Sequence, residues 1–241
     1  MRPLADYHTH TRWSHASGSI NENVAAARSL GLREVGIAEH GPNLLFVGVP
    51  RRRWRRLQAA VRSNAADDLR VLFNIEANVI SVTGKLDVPR AVTGNLDKLL
   101  VGLHPRVCPA DLSSWWAFYG LRYLALLSRS QRHKLWDMFT RAMVNCVETN
   151  SVDIITHPGY GLPIDTKELA LACARRGTLL EINCRHTQNT ARDLKIAAAV
   201  KDVRFVLGSD AHKPEQVGRF GPGLSLAREL RIDSERIVNM G

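Results

Sequence analysis

The amino-acid sequence predicts a single-domain α/β fold, one parallel barrel built from seven strand-and-helix units. Three observations predict it. Short apolar runs alternate seven times with amphipathic stretches, and no shift in composition divides them. A length of 241 residues suits one such barrel. Polar, metal-competent side chains recur at the carboxyl ends of the expected strands, which is where parallel barrels carry their sites.

The first strand, residues 4–8, runs into DYHTHTRWSHASGS (6–19). His8 and His10 stand two apart, so a strand points both imidazoles to one face. His15 follows in a Ser/Gly-rich loop. Residues 20–30 read as a helix, with Val24, Ala27 and Leu30 at helical spacing and Gly31 as its stop. Residues 33–38 (REVGIA) form a buried strand that delivers Glu39 and His40 before Gly41-Pro42. Pro50 opens a helix carrying Arg51, Arg52, Arg53, Arg55 and Arg56. LRVLFNI (69–75) is the third strand, ending in Glu76, and DKLLVGL (97–103) the fourth, ending in His104. The near-continuous apolar run of the fourth suits a strand covered on both faces.

Residues 111–129 (DLSSWWAFYGLRYLALLSR) interrupt the rhythm as an aromatic-rich insert of one or two amphipathic helices, and helix continues over 131–147. VDIIT (152–156) is a fifth strand presenting His157. A helix over 165–176 has Asp165 as its cap and Gly177 as its stop. Strands at 178–182 and 203–207 flank a helix at 191–201, and the second of them presents Asp210 and His212. Residues 224–230 are the last helix, and Ile237-Val238 a final strand-like segment.

Composition limits the function classes. A hydrophobic content of 45% is ordinary for a globular core. The first strand begins too early to leave room for a signal peptide, and no apolar run reaches the about 18 residues of a membrane span. These two points predict a cytoplasmic protein with no membrane partner. Cys108, Cys146, Cys173 and Cys184 are scattered without a C-x-x-C pair, which argues against disulfides and a zinc ribbon. A net charge of +10 favours anionic partners, a phosphorylated metabolite before nucleic acid.

The candidates at strand ends are His8, His10, His15, His40, Glu76, His104, His157, Asp210 and His212. Of the nine histidines in the chain only His133 and His186 lie outside this set. Random placement would scatter them over helices and surface loops. So many donors exceed what one ion of four or five ligands uses, so two or three ions are expected. Mixed imidazole and carboxylate donors suit Zn, Mn or Fe, Zn first.

The motifs DYHTHT, AEHGP, IEAN, GLHP, THPG and GSDAH, in this order, resemble the PHP (polymerase and histidinol phosphatase) superfamily over residues 4–220. NIEANVISVTGKLD, ITHPG, LLEIN and VLGSDAH are most similar to its small stand-alone YcdX-like phosphatases. The resemblance implies a distorted (β/α)7 TIM-like barrel, a trinuclear site and phosphoesterase chemistry. Carried over by position, it implies one ion on His8, His10, Glu76 and Asp210, a second on Glu76, His104 and His157, and a third on His15, His40 and His212. Glu39 replaces the usual Asp before the third-ion histidine, and the segment between His104 and His157 is longer than in that branch.

The expected reaction is hydrolysis of a phosphate monoester, with metal-held hydroxide attacking phosphorus and Asp210 or His212 protonating the leaving oxygen. Glu76, Asp210 and His212 are therefore the catalytic candidates, and Arg185, His186 and Lys213 the substrate contacts. Rival readings are a histidinol phosphatase, a 3'–5' exonuclease or nucleotide phosphodiesterase, and a metal-binding regulatory module without turnover. The arginine run either receives a phosphate or is a solvated face. Cys184 has no partner that marks a nucleophile. The insert's aromatic and leucine side chains need burial against the barrel, over the pocket mouth, or in a homo-oligomer contact.

Overall fold

The computed structural model describes residues 2–65 and 67–241. Seven strands, β1 (Ala5–Thr9), β2 (Glu34–His40), β3 (Arg70–Asn78), β4 (Lys98–Gly102), β5 (Ile154–Ile155), β6 (Leu179–Asn183) and β7 (Phe205–Gly208), lie in chain order in one parallel sheet. The sheet curls until its edges nearly meet. Closure between β1 and β7 rests on one parallel bridge, Thr9 to Ala211, with the His10 amide donating to the Ala211 carbonyl at 2.8 Å.

Nine α-helices lie among the described residues: α1 (Ile20–Ser29), α2 (Trp54–Arg62), α3 (Arg90–Thr93), α4 (Leu112–Trp115), α5 (Arg122–Leu124), α6 (Arg129–Thr149), α7 (Thr166–Arg176), α8 (Thr187–Ala198) and α9 (Gly221–Glu229). Their ends follow local chemistry. Ser19 and Glu22 form a reciprocal capping box on α1. Asp165 accepts the Lys167 and Glu168 amides at the start of α7, and Gly177, at φ +70°, ends it. The helix expected at 191–201 begins instead at Thr187, because the Asn183 side-chain oxygen accepts the Arg185 and His186 amides and turns the chain at once.

Strand periodicity builds two layers inside the barrel. Ala38, Leu100, Ile154 and Val206 form a small buried apolar cluster apart from the main core. Two residues further along β2, β5 and β7 come His40, Thr156 and Gly208, and in the register His40 faces Glu76. The lower layer is therefore an apolar plug and the upper one a polar floor. Gly208 is required there, since a Cβ at that position would run into the Glu181 carboxylate.

The insert comprises α4, a π-helical turn over Trp116–Leu121, and α5. Phe118 and Leu121 are buried, with the Phe118 ring edge-on to Phe139 at 5.0 Å. The Tyr119 hydroxyl donates to the Val107 carbonyl at 2.6 Å and Arg122 to the Pro105 carbonyl at 3.2 Å, so the segment braces the chain that follows His104. Only part of its apolar surface is buried against the barrel: Leu126 and Leu127 are each 75% exposed and Trp116 57%. A helix of this length has one inward stripe, and Phe118, Leu121 and Ala125 occupy it. Among the described residues no helix is long and apolar enough to cross a membrane.

Candidate metal centre

The carboxyl ends of the strands surround a cleft of about 390 Å³ whose wall includes His15, His40, Glu76, His104, His157, Asp210 and His212. His8 and His10 lie buried at its floor. All nine candidates therefore reach one end of the barrel. His8 Nε2 is 3.5 Å from Glu76 Oε2 and 3.8 Å from Asp210 Oδ1, and His10 Nε2 is 3.6 Å and 3.4 Å from the same two atoms. The two imidazole Nε2 atoms are 3.0 Å apart. Glu76 Oε1 is 3.0 Å from His157 Nε2 and 3.4 Å from His104 Nε2. His15 Nε2 and His212 Nε2 lie 2.8 Å apart. One placement differs from the family partition, since His40 Nδ1 lies 2.7 Å from Glu76 Oε2. Ligand atoms within 4.8 Å of one another come from His8, His10 and Glu76, from His40, Glu76 and His104, and from His10, His40 and His212. His40 thus joins two groups.

Three further contacts set which ring nitrogen faces the cleft. His8 Nδ1 lies 2.7 Å from Glu181 Oε1, His104 Nδ1 2.7 Å from Asn78 Oδ1, and His212 Nδ1 2.9 Å from the Asp210 carbonyl. Each partner is an acceptor, so each Nδ1 carries a proton, and once the ring is neutral its Nε2 lone pair is the one left to face inward, the arrangement of metal-bound histidine.

The charge states fit the same reading. Burial opposes ionisation of Glu76 and Asp210, but His40, His8 and His104 around the first, and His8 and His10 around the second, hold both carboxyls well below their usual range. Burial lowers His10, His104 and His212, and takes His15 down to about 4, aided by His40. His8 and His157 move the other way. Burial disfavours their charge, but Glu181, Glu76 and Asp210 overcome it.

Three buried atoms at the site, His10 Nδ1, His40 Nδ1 and Glu76 Oε2, make no hydrogen bond. His40 Nδ1 and Glu76 Oε2 approach closely without hydrogen-bonding geometry. Each such orphan costs about 1–3 kcal/mol. Convergent imidazole and carboxylate donors such as His40 Nδ1 and Glu76 Oε2 suit divalent transition ions.

Backbone conformation marks the same residues. His157 and Asp210 have φ of +30° and +51°, a region that non-glycine residues enter only when their surroundings compel them.

These features agree with what the chain resembles. A PHP domain model matches residues 6–161. The chain belongs to the PHP family. A relative from Shewanella sediminis (strain HAW-EB3), named a probable phosphatase, is 32% identical over 99% of this chain and 90% of its own length. One from Shewanella loihica (strain ATCC BAA-1088 / PV-4), with the same name, matches at 32% over the same shares. Among solved structures, a histidinol phosphate phosphatase of Lactococcus lactis complexed with zinc, L-histidinol and phosphate superimposes with a TM-score of 0.61 at 13% identity, covering 97% of this chain and 95% of that one. A putative histidinol phosphatase of Listeria monocytogenes gives 0.61 at 15%, covering 89% and 97%. At such identities the superpositions establish the barrel alone.

Of the expected substrate contacts, Arg185 and His186 line the cleft; His186 stacks on Tyr160 at 4.0 Å, and its Nε2 is 3.4 Å from Asp210 Oδ2. Lys213 does not line it and is exposed, just ahead of the short 3-10 turn Pro214–Gln216. The arginine run is also turned away: Arg51 donates to the Asp87 carbonyl at 2.7 Å and Arg53 lies over the Trp13 ring. No residue of 111–130 lines the cleft among those described, so the insert does not roof it. The Cys184 thiol is buried and pushed upward in pKa, the opposite of a nucleophile's environment.

Reading by residue missed Glu181, which links His8 to the His157 amide at 2.8 Å, and Asn78 behind His104. The signal was present, since a carboxylate at the centre of an apolar strand, LLEIN, is buried only when partnered. Glu39 accepts the Thr11 amide at 2.9 Å and the Thr11 and Ser14 hydroxyls, fixing the loop that leads to His15, and burial raises its pKa to about 7.

Proposed function

We propose that this PHP-family chain is a metal-dependent phosphatase that hydrolyses a phosphate monoester at a trinuclear centre, with zinc first among the candidate ions and manganese or iron next. The observation that carries it is the set of buried, unbonded ligand atoms beside Glu76 at the head of the barrel. The relatives' name, probable phosphatase, points the same way. His8, His10, Glu76 and Asp210 would hold one ion, Glu76, His104 and His157 a second, and His15, His40 and His212 a third, with His40 near enough to Glu76 to share in the second. Ions so held would supply Lewis acidity to phosphoryl oxygens and water, so no protein nucleophile would be required.

The chain's own groups do the rest. Arg185 and His186 orient the ester at the mouth. Asp210 or His212, whose Nδ1 lies 3.4 Å from Asp210 Oδ1, would assist in protonating the leaving oxygen. The cleft's size suits a small phosphorylated metabolite rather than a polymer. We read the whole chain as one cytoplasmic domain, with the exposed side of 111–130 as the face available to a second copy.

Release of phosphate from p-nitrophenyl phosphate and a panel of phosphorylated metabolites, histidinol phosphate among them, tests the reading. Activity is expected with Zn or Mn and its loss on chelation. Absence of turnover with every ester and metal would leave the regulatory-module reading instead.

A further inference from the structure

A second cavity, of about 480 Å³, opens beside the metal-candidate cleft. Arg185 and His186 line both, so the two spaces adjoin across these side chains. The far wall holds Ser209, Gln216, Arg219 and the first turn of α8, and among the described residues no carboxylate lines it. Some arginines elsewhere are neutralised by a carboxylate: Arg28 by Asp68, Arg62 by Asp97, Arg70 by Glu34, Arg175 by Glu148. Arg185 and Arg219 form no ion pair among the described residues. Arg185 instead donates to the Asp210 carbonyl at 3.4 Å, which ties its guanidinium to the strand end that carries the candidate ligand. Gln216 accepts the His212 amide at 2.8 Å, so the other wall is tied to the centre as well.

We propose that this side chamber is a subsite for a second anionic group, carboxylate or phosphate, on the alcohol portion of the substrate. The proposal rests on the phosphatase reading above and narrows its substrate class to phosphate monoesters with two anionic ends. Two guanidinium forks without a competing carboxylate suit a planar carboxylate or a phosphate face, each with two N–H groups on two oxygens. Because the chamber and the cleft share Arg185, one short molecule reaches both. The ester phosphate lies at the imidazole and carboxylate cluster and the second anion against Arg219. Arg219 is then the residue that separates this substrate class from esters of neutral alcohols.

Binding, measured by titration calorimetry on the Mn-loaded protein at fixed ionic strength, tests this without turnover. The probes are ethylphosphonate, 3-phosphonopropionate and ethane-1,2-diphosphonate. The two-anion probes are expected to bind about tenfold more tightly than ethylphosphonate, as a charge-assisted bidentate contact would give. The better of the two identifies the second group as carboxylate or phosphate. Arg219→Gln, at an exposed position, is expected to remove most of that advantage. Equal affinity for all three probes, or an advantage that survives Arg219→Gln, overturns the subsite. An advantage present in a protein that hydrolyses no phosphate ester keeps the subsite and overturns the phosphatase reading, so the two failures are separable.

Discussion

Glu181 does not enter the cleft as a ligand, yet replacing it by glutamine tests the logic of the centre closely. The carboxylate has three donors around it: His8 Nδ1 at 2.7 Å on Oε1, and the His157 amide at 2.8 Å and Asn183 Nδ2 at 2.9 Å on Oε2. A glutamine of the same shape offers one acceptor and one donor. If its NH2 faces the His157 amide and Asn183, donors oppose donors in a buried place, at about 1–3 kcal/mol for each orphan. If it faces His8, the imidazole shifts to the tautomer with hydrogen on Nε2, the nitrogen directed at Glu76 and Asp210. The second arrangement leaves fewer orphans and is the one expected. His8 then loses its lone pair at the candidate site, and the loss of a histidine's outer partner weakens metal binding by roughly 10–100-fold, or about 1.4–2.7 kcal/mol. Chelator competition with Zn on wild type and Glu181→Gln measures it, with circular dichroism confirming the fold. An affinity within about twofold of wild type would refute the assignment of His8 Nε2 as a ligand atom.

Other expectations follow from the same geometry. His8 and His157 have raised pKa values, so in the metal-free chain their protonation contributes stability that is complete below the unfolded value near 6.5 and is lost as pH climbs through their raised values. Ligation needs both neutral, so metal binding near pH 7 is expected to release protons and to tighten as pH rises, measured by calorimetry in buffers of different ionisation enthalpy; uptake of protons would contradict it. Gly208→Ala places a Cβ against Glu181 and is expected to lower metal affinity as Glu181→Gln does; unchanged affinity would show that Glu181 moves without consequence. Phe118→Ala is expected to cost about 3–5 kcal/mol of unfolding free energy in urea, whereas Leu127→Ser, at an exposed site, should change it by under about 0.5 kcal/mol. A fall in mass by light scattering for Leu127→Ser would show that the exposed face of the insert joins two copies.

The barrel was legible because its strands carry their own evidence. REVGIA and DKLLVGL are apolar without alternation, as only strands covered on both faces are. The shortest strand, β5, has two residues, and the apolar run VDIIT that contains it is still readable as a strand. The candidate site was legible in its ligand types and their order, since histidines at strand ends need no knowledge of packing. What local sequence lacks is register around the barrel. The approach of His40 to Glu76 depends on the pairing of β2 with β3, and that of Glu181 to His8 spans 173 residues. The exposure of Lys213 depends on how its loop packs, and the exposed half of the insert on which helical stripe Phe118 occupies. Neither is fixed by composition.

The central claim is that the head of the barrel holds three ions around Glu76. Elemental analysis of protein purified without chelator, on wild type and on Glu76→Ala side by side, tests it most directly. The account predicts about three transition-metal ions per chain in the wild type and the joint loss of at least two in the variant, because the carboxylate lies against both the His8–His10 and the His40–His104 groups. One ion or fewer in the wild type, or an unchanged count in Glu76→Ala, would contradict it.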